Sequence, residues 1–202
     1  MKIRHLGVCD YQPVWRQMQR FTDQRTADTE DEIWFLQHLP VFTLGQAGKP
    51  SHLLDPGDIP VLQVDRGGQV TYHGPGQLIA YLLIDLRRSQ LGVRALVTLM
   101  EQSVVELLAR FGISAAARKQ APGVYVEARK IAALGLRVRR GCSYHGLSLN
   151  VSMDLTPFEC INPCGYPGLQ ITQLADLGAT TDLPRITMEL AGILTERLGY
   201  NA

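Results

Sequence analysis

Apolar residues along the chain fall mostly into short runs of the length that strands have. The run Leu78–Leu86 is almost continuously apolar, which is typical of a strand buried at the centre of a sheet. Shorter runs predict six further strands, over residues 2–9, Ile33–Leu39, Pro60–Asp65, Gly123–Ala128, Lys130–Arg139 and Tyr144–Val151. Segments 45–60, 66–77 and 153–170 are rich in glycine, proline or both, and are predicted as loops, the last with a helical turn.

Three segments have the period of a helix instead. Residues 92–111 are the clearest, with an apolar stripe and a closing Gly112; the stripe is formed by Leu96, Met100, Val104, Leu107 and Phe111. Pro184–Leu198 is predicted as the last helix, and another follows Asp10, which could cap it. Strands interrupted by two or three helices without regular alternation predict an α+β fold with a mixed sheet, in one domain over residues 1–202.

Composition narrows the class of protein. The chain is 46% apolar and has a formal net charge of +1, so it can form a core and has no global charge that would favour nucleic acid. No apolar run reaches the roughly 18 residues of a membrane helix, and the N-terminal residues lack the pattern of a signal peptide. Four cysteines do not suggest a disulfide framework. We therefore expect a cytoplasmic protein with no membrane or nucleic-acid partner.

The densest local pattern is the glycine-rich segment Arg66–Gln77. Four glycines and a proline there would let the backbone approach a ligand closely, with polar side chains around it. Taken alone, a glycine-rich loop favours a bulged hairpin whose polar residues satisfy its own turn. The spacing matches neither of the common phosphate-binding glycine motifs.

Cys164 is the candidate nucleophile. It stands between Pro163 and Gly165, one rigid and one permissive residue, so we expect it on a tight turn. A thiol displayed on a turn can act as a nucleophile if its surroundings favour the thiolate. A buried, inert thiol is the more usual state of a cysteine.

Lys130 is the candidate partner of that thiol. Strict alternation places it on the same face as Ala132 and Leu134, the apolar face of its strand. A lysine in such a place either reaches water at the strand's start or points into a site. In a site, its ammonium would stabilise a thiolate and the neutral amine could move a proton.

Two further patterns leave alternatives open. Small residues alternate with leucines around Gly135 and along Tyr144–Val151, which suits either a slender apolar ligand or a covering helix. A zinc site is a minority interpretation; its four ligands would be Cys142, His145, Cys160 and Cys164. Within a strand, positions three apart face opposite sides, which disfavours a shared ion.

Taken together, three stretches resemble the lipoyl(octanoyl) transferase family. They are Arg66–Leu78 (RGGQVTYHGPGQL), Lys130–Asn150 (KIAALGLRVRRGCSYHGLSLN) and Thr156–Gly165 (TPFECINPCG). The resemblance implies the fold of biotin and lipoate protein ligase catalytic domains, and a catalytic pair of Cys164 and Lys130. It also implies acyl-chain contacts from three segments: Arg66, Gly67, Gly68, Gln69, Val70, Thr71, Tyr72 and His73; Ala133, Leu134 and Gly135; and Gly146, Leu147 and Ser148.

The activity implied is transfer of an octanoyl or lipoyl group from acyl carrier protein to a lysine of lipoyl domains or of the glycine-cleavage H protein. No cofactor or metal is expected, and His73 and His145 would serve at most as orienting groups. Two rivals remain: an ATP-dependent lipoate or biotin protein ligase, and a zinc- or acyl-binding module without catalytic activity.

Overall fold

The computed structural model describes residues 1–118 and 121–200, and ten strands and three helices lie within those ranges. The strands are β1 (Lys2–Cys9), β2 (Glu32–His38), β3 (Val41–Leu44), β4 (Val61–Gln63), β5 (Val70–His73), β6 (Gln77–Leu83), β7 (Ala116–Ala117), β8 (Val124–Val126), β9 (Arg129–Arg139) and β10 (Cys142–Asn150). The helices are α1 (Tyr11–Gln24), α2 (Val93–Arg110) and α3 (Leu183–Arg197). None of these helices is long and apolar enough to cross a membrane.

Seven strands form the main sheet in the order β1-β2-β6-β10-β9-β8-β7. Only β1 and β2 pair in parallel; the other neighbours are antiparallel. A second sheet has the order β4-β3-β5 and is also mixed. The predicted α+β fold with a mixed sheet is therefore confirmed.

The sheet is covered on both faces. The largest core lies between one face and helices α2 and α3, and includes Leu96, Met100, Leu190 and Leu194. Helix α1 covers part of the other face through Val14 and Met18. As predicted, β6 is central, and every one of its residues is buried.

Some local predictions need correction. Strands β3, β5 and β7 were not predicted, because each has four residues or fewer and two of them lie among loop-forming residues. Asp10 does precede α1, but its side chain makes no capping hydrogen bond. Segment 153–170 contains two short 3₁₀ turns, Thr156–Cys160 and Pro163–Gly165, where one helical turn was expected.

Candidate active site

Cys164 is the middle residue of the turn Pro163–Gly165 and has a left-handed backbone, with φ 56° and ψ 16°. A side chain with a Cβ seldom adopts that conformation, and an observed exception is a reason to suspect function. The N–H of Gly165 donates to the carbonyl of Asn162 at 2.9 Å, which closes the turn. The sequence prediction of a tight turn around the thiol is confirmed.

A β-bulge decides which face of the sheet Lys130 occupies. Tyr125 pairs with Lys130 and Val124 pairs with Ala132, so Ile131 is the extra residue on β9. Ile131 and Ala132 both pack in the core beneath α2 and α3, which breaks the alternation between them. Lys130 consequently lies on the opposite face from Ala132, and the prediction that they share the apolar face is wrong.

The bulge brings Lys130 to the cysteine. Its Nζ lies 3.0 Å from Cys164 Sγ and donates to the carbonyl of Pro122 at 2.8 Å. Lys130 is only 3% exposed, and within residues 1–118 and 121–200 its ammonium contacts no carboxylate. A buried cation needs a compensating partner, and the sulfur, as a thiolate, would supply one. The predicted proximity of these two atoms is confirmed.

The main chain of Lys130 also holds the segment that follows the cysteine turn. Its N–H donates to the carbonyl of Gln170 at 2.8 Å, and its carbonyl accepts from the N–H of Thr172 at 2.9 Å. Residue 130 therefore fixes both sides of the site, through its side chain and through its backbone.

Cys164 lies where two adjacent cavities meet. One of them contains Lys130 and has a volume of about 10 Å³; the other is larger, at about 50 Å³. Residues shared by both cavities are Thr71, Ala133, Ser148 and Cys164. The sulfur therefore stands where the larger pocket adjoins the cavity that contains Lys130.

Residues of three neighbouring strands form the floor of this pocket (the channel), and those on β9 and β10 are small. Ala133 of β9 pairs with Ser148 of β10, and Gly135 pairs with Gly146. On the other side of β10, Ile79 and Tyr81 of β6 continue the same rows. The absence of a side chain at Gly135 lets Arg66 and Gly67 approach the sheet closely, because a Cβ there would lie 3.2 Å from Arg66 Cδ and from the carbonyl oxygen of Gly67.

Arg66 is a buried cation beside this channel. It is 8% exposed and donates to the side chain and carbonyl of Thr43 and to the carbonyl of Gly67. Burial lowers its pKa from the usual arginine value. Its neighbours in the channel are neutral, so its charge adds to that of Lys130 in making the pocket favourable for a negative sulfur or oxygen.

Asp65 connects helix α1 to the far end of the pocket. Its carboxylate accepts from Trp15, Gln19, Tyr144 and His145, at 2.5 to 3.1 Å. Burial opposes ionisation, but the hydrogen bonds from His145, Tyr144 and Gln19 prevail and hold the pKa of Asp65 well below its usual range. His145 has a positive φ of 62° inside β10, which interrupts the alternation of the strand. The side chains of Tyr144 and His145, which would otherwise point to opposite faces, therefore both reach the Asp65 carboxylate.

The pocket contains most of the residues that the sequence predicted to bind the acyl chain. These are Arg66, Gly68, Gln69, Val70, Thr71, His73, Ala133, Leu134, Gly135, Gly146, Leu147 and Ser148. Gly67 and Tyr72 do not line it: Tyr72 packs with Phe42 and Phe158 beneath the small sheet.

Sequence reasoning missed three residues that line the pocket, namely Tyr11, Ile79 and Tyr81. Ile79 and Tyr81 alternate along β6, so a signal existed in their period of two. Tyr11 starts a helix, and no local pattern connects it with the sheet.

The zinc alternative gains no support from the geometry. In the described parts of the chain, no group of three or more histidine, cysteine or acidic side chains is placed to hold a metal ion. His145 is bonded to Asp65 and Cys164 to Lys130, so these two side chains already have partners elsewhere. A larger groove lies between β1, β2 and α3, but neither Cys164 nor Lys130 lines it.

Comparison with known proteins agrees with this fold and identifies the family. The family model described as the lipoyl protein ligase A/B catalytic domain matches residues 10–191, and the chain belongs to that family. Among curated relatives, the octanoyltransferase of Shewanella sp. (strain ANA-3) is 58% identical over 200 residues, covering 99% of this chain and 92% of the relative. The octanoyltransferase of Pseudomonas fluorescens (strain SBW25) is 60% identical over 197 residues, covering 98% and 92%.

Solved structures resemble the chain in fold at low sequence identity. A bipartite lipoate protein ligase from Thermoplasma acidophilum has a TM-score of 0.75 at 15% identity, covering 98% of this chain and 83% of that one. The biotin protein ligase from Aquifex aeolicus has a TM-score of 0.60 at 13% identity, covering 98% and 69%. The predicted relation to biotin and lipoate protein ligase domains is confirmed.

Proposed function

We propose that this protein is an octanoyltransferase that moves an octanoyl group from acyl carrier protein to a lysine of a lipoyl domain, through a thioester on Cys164. The observation that carries the proposal is the 3.0 Å contact of the Lys130 ammonium with the Cys164 sulfur at one end of an apolar channel. The relatives at 58–60% identity, which are octanoyltransferases, support the activity. Their names do not give the donor, the acceptor or the nucleophile.

The channel supplies binding energy that depends on chain length. Burial of six methylenes at about 0.8 kcal/mol each gives about 5 kcal/mol. A shorter acyl chain would lose part of this binding free energy, so the pocket would select its substrate by chain length as well as by the thioester group.

In the first step, the Cys164 thiolate attacks the thioester carbonyl of the donor. A carbon–sulfur bond forms to the enzyme and the bond to the carrier sulfur breaks. The carrier thiolate leaves with the proton of the Lys130 ammonium, which becomes the neutral amine. Because one thioester replaces another, the step is close to isoenergetic. The nearby ammonium of Lys130 favours the thiolate that begins the attack.

Backbone donors are the candidates for stabilising the oxyanion in this step. The Gly165 N–H is engaged with Asn162, whereas the Cys164 N–H has no acceptor among residues 1–118 and 121–200. A free N–H adjacent to the nucleophile is a common component of an oxyanion hole.

In the second step, the ε-amine of the acceptor lysine attacks the acyl-enzyme. An amide forms, the carbon–sulfur bond to Cys164 breaks, and neutral Lys130 takes the proton released by the amine. Conversion of a thioester to an amide is downhill, so the reaction needs no ATP and no cofactor.

The acceptors would be lipoyl domains of 2-oxoacid dehydrogenases and the glycine-cleavage H protein. The reaction would take place in the cytoplasm, since Cys9, Cys142, Cys160 and Cys164 are all free thiols, as is usual in a reducing compartment.

The test is ATP-free transfer from octanoyl-carrier protein to an apo lipoyl domain, followed by intact mass spectrometry of both proteins. We expect the enzyme to gain one octanoyl group that hydroxylamine removes, and then to pass it to the domain. Cys164→Ala should gain none, whereas the matched control Cys9→Ala should behave as wild type.

An absolute requirement for ATP and free octanoate would instead favour the ligase alternative. That alternative arises because a lipoate-protein ligase A bound with ATP has a similar fold, with a TM-score of 0.76 at 14% identity. A labelled Cys164→Ala enzyme would exclude the thioester proposed above.

A further inference from the structure

The far end of the channel is lined by polar side chains, which is unexpected for a pocket that receives a methyl group. Tyr81, His73 and His145 all line it, and His38 lies behind Tyr81 and His73. The inference drawn from them rests on the proposed function and concerns the chemical class of acyl group that the channel accepts.

His145 lies at the depth that the end of an octanoyl chain would reach. Ser148 and Cys164 line the same two cavities, and His145 is three residues further along β10, which is about 10 Å at the usual rise of a strand. Seven C–C bonds in an extended zigzag advance about 1.25 Å each, which gives about 9 Å. The last two or three atoms of the chain would therefore contact this polar end.

The hydrogen-bond donor of Tyr81 is already used. His38 Nδ1 lies 3.0 Å from the carbonyl of Cys9, and a carbonyl can only accept, so Nδ1 carries the proton. His38 Nε2 is then an acceptor, and Tyr81 donates to it at 2.7 Å. The phenol consequently has no proton left for a ligand.

The donor of His73 is used as well. Gln77 donates its amide to Tyr72 and Asn150, so its Oε1 faces His73 Nδ1 at 2.7 Å and accepts the proton there. His73 Nε2 is left as an acceptor with no partner among the described residues.

His145, like His73, has one ring nitrogen that donates within the protein and another that is left as an acceptor. Its Nε2 lies 3.0 Å from the ionised Asp65 carboxylate and must carry the proton. Its Nδ1 is then an acceptor, and this atom is buried and without a hydrogen-bond partner in the described structure. Burial is the main cause that lowers the pKa of His38, His73 and His145, so all three rings are neutral near pH 7.

We propose that the far end of the channel accepts a medium-chain acyl group with a terminal hydroxyl, whose proton is donated to His73 Nε2 or His145 Nδ1. The end of the pocket has two unfilled acceptors, and the donors of Tyr81, His73 and His145 are engaged within the protein. A hydroxyl satisfies such an end, whereas a methyl leaves the acceptors unfilled.

The experiment compares three pantetheine thioesters whose acyl chains each have eight non-hydrogen atoms apart from the carbonyl oxygen: octanoyl, 7-hydroxyheptanoyl and 6-methoxyhexanoyl. The readout is kcat/KM for transfer to an apo lipoyl domain. In a purely apolar pocket, a hydroxyl without a partner would lower kcat/KM by roughly 5- to 150-fold. We expect the hydroxyl chain to stay within about threefold of octanoyl, and the ether, which has no proton to donate, to fall at least tenfold below both.

Variants locate the acceptor. His73→Phe keeps the ring that stacks on Tyr11 but removes Nε2, and His145→Gly removes Nδ1 while tolerating the positive φ. In at least one of these variants, the kcat/KM for the hydroxyl chain divided by that for octanoyl should fall by about tenfold. His5→Phe, on the exposed part of β1, is the matched control and should leave the ratio unchanged.

Equal losses for the hydroxyl and ether chains in wild type would overturn the inference, and so would an unchanged ratio in both variants. Because the wild-type comparison needs no variant, the first outcome does not depend on either variant folding. Transfer of octanoyl alone leaves the proposed function intact, whereas failure to transfer octanoyl at all would contradict the proposed function itself.

Discussion

Gly123 provides the space that the side chain of Lys130 occupies. A Cβ at residue 123 would lie 2.4 Å from Lys130 Cε and 2.9 Å from Nζ, and Gly123 has a φ of 143°. The ammonium reaches Cys164 only because the facing residue has no side chain.

Gly123→Ala should therefore displace Lys130 and slow formation of the acyl-enzyme by about tenfold or more, since small misplacements of catalytic groups are costly. Stopped-time mass spectrometry of the octanoylated enzyme measures this rate. Gly192→Ala is the matched control, because a Cβ there meets nothing within 4 Å. Equal rates for Gly123→Ala and wild type would mean that the lysine position does not limit the reaction.

Removal of the lysine side chain tests its role directly. Lys130→Ala should lower the rate of octanoyl transfer by about 10²- to 10⁴-fold, the usual contribution of a proton-transfer group. Lys49→Ala, at an exposed site, should have no effect on the same assay. Full turnover by Lys130→Ala would remove this residue from the mechanism.

Chain-length selectivity follows from the channel. Each buried methylene contributes about 0.8 kcal/mol, which is about a fourfold change in kcat/KM, so hexanoyl thioesters should be about 15-fold poorer than octanoyl. Decanoyl should not continue the gain, because its last carbons would meet the buried ring of His145. A steady rise in kcat/KM from six to ten carbons would show that the channel continues past this residue.

Stability should fall in mild acid because of the buried histidines. Burial lowers the pKa of His38 from 6.5 to about 4, so between these values the unfolded state binds the proton and the folded state does not. Stability therefore rises with pH across this window, and this group alone accounts for about 3 kcal/mol between pH 7 and pH 4.

Urea unfolding at pH 7, 5.5 and 4.5 measures the effect. His38→Gln, which cannot titrate but keeps a donor and an acceptor, should show a shallower loss of the free energy of unfolding. Parallel pH dependences in the two proteins would mean that His38 is protonated in the folded state.

The backbone at Cys164 predicts a trade between stability and activity. A residue with a Cβ in the left-handed region costs about 1–2 kcal/mol, which glycine does not incur. Cys164→Gly should be inactive but about 1 kcal/mol more stable to urea than the equally inactive Cys164→Ala. If the two variants unfold at the same urea concentration, the turn is not strained.

Sequence patterns were sufficient for the elements that make most of the core. The apolar run of β6 and the helical stripe of α2 each identified a buried element, because burial on a regular element imposes a regular period. The short strands β3 and β5 carry no such period, since four residues are too few to establish one.

The candidate site was predictable in part for a different reason. Cys164 is revealed by its neighbours Pro163 and Gly165, which encode a turn locally. The face on which Lys130 lies is not encoded locally, because it depends on how β8 and β9 register across the bulge at Ile131. Tyr11 and Asp65 enter the site through contacts with residues more than 45 positions away, which no window of sequence contains.

The two backbone hydrogen bonds of Lys130 to Gln170 and Thr172 do not involve its side chain. Any amino acid except proline at position 130 would preserve them, so the loop carrying the sulfur stays docked when the ammonium is deleted. A loss of turnover in such variants then measures chemistry rather than collapse of the architecture, and we expect an added primary amine that enters the vacated space to restore the reaction.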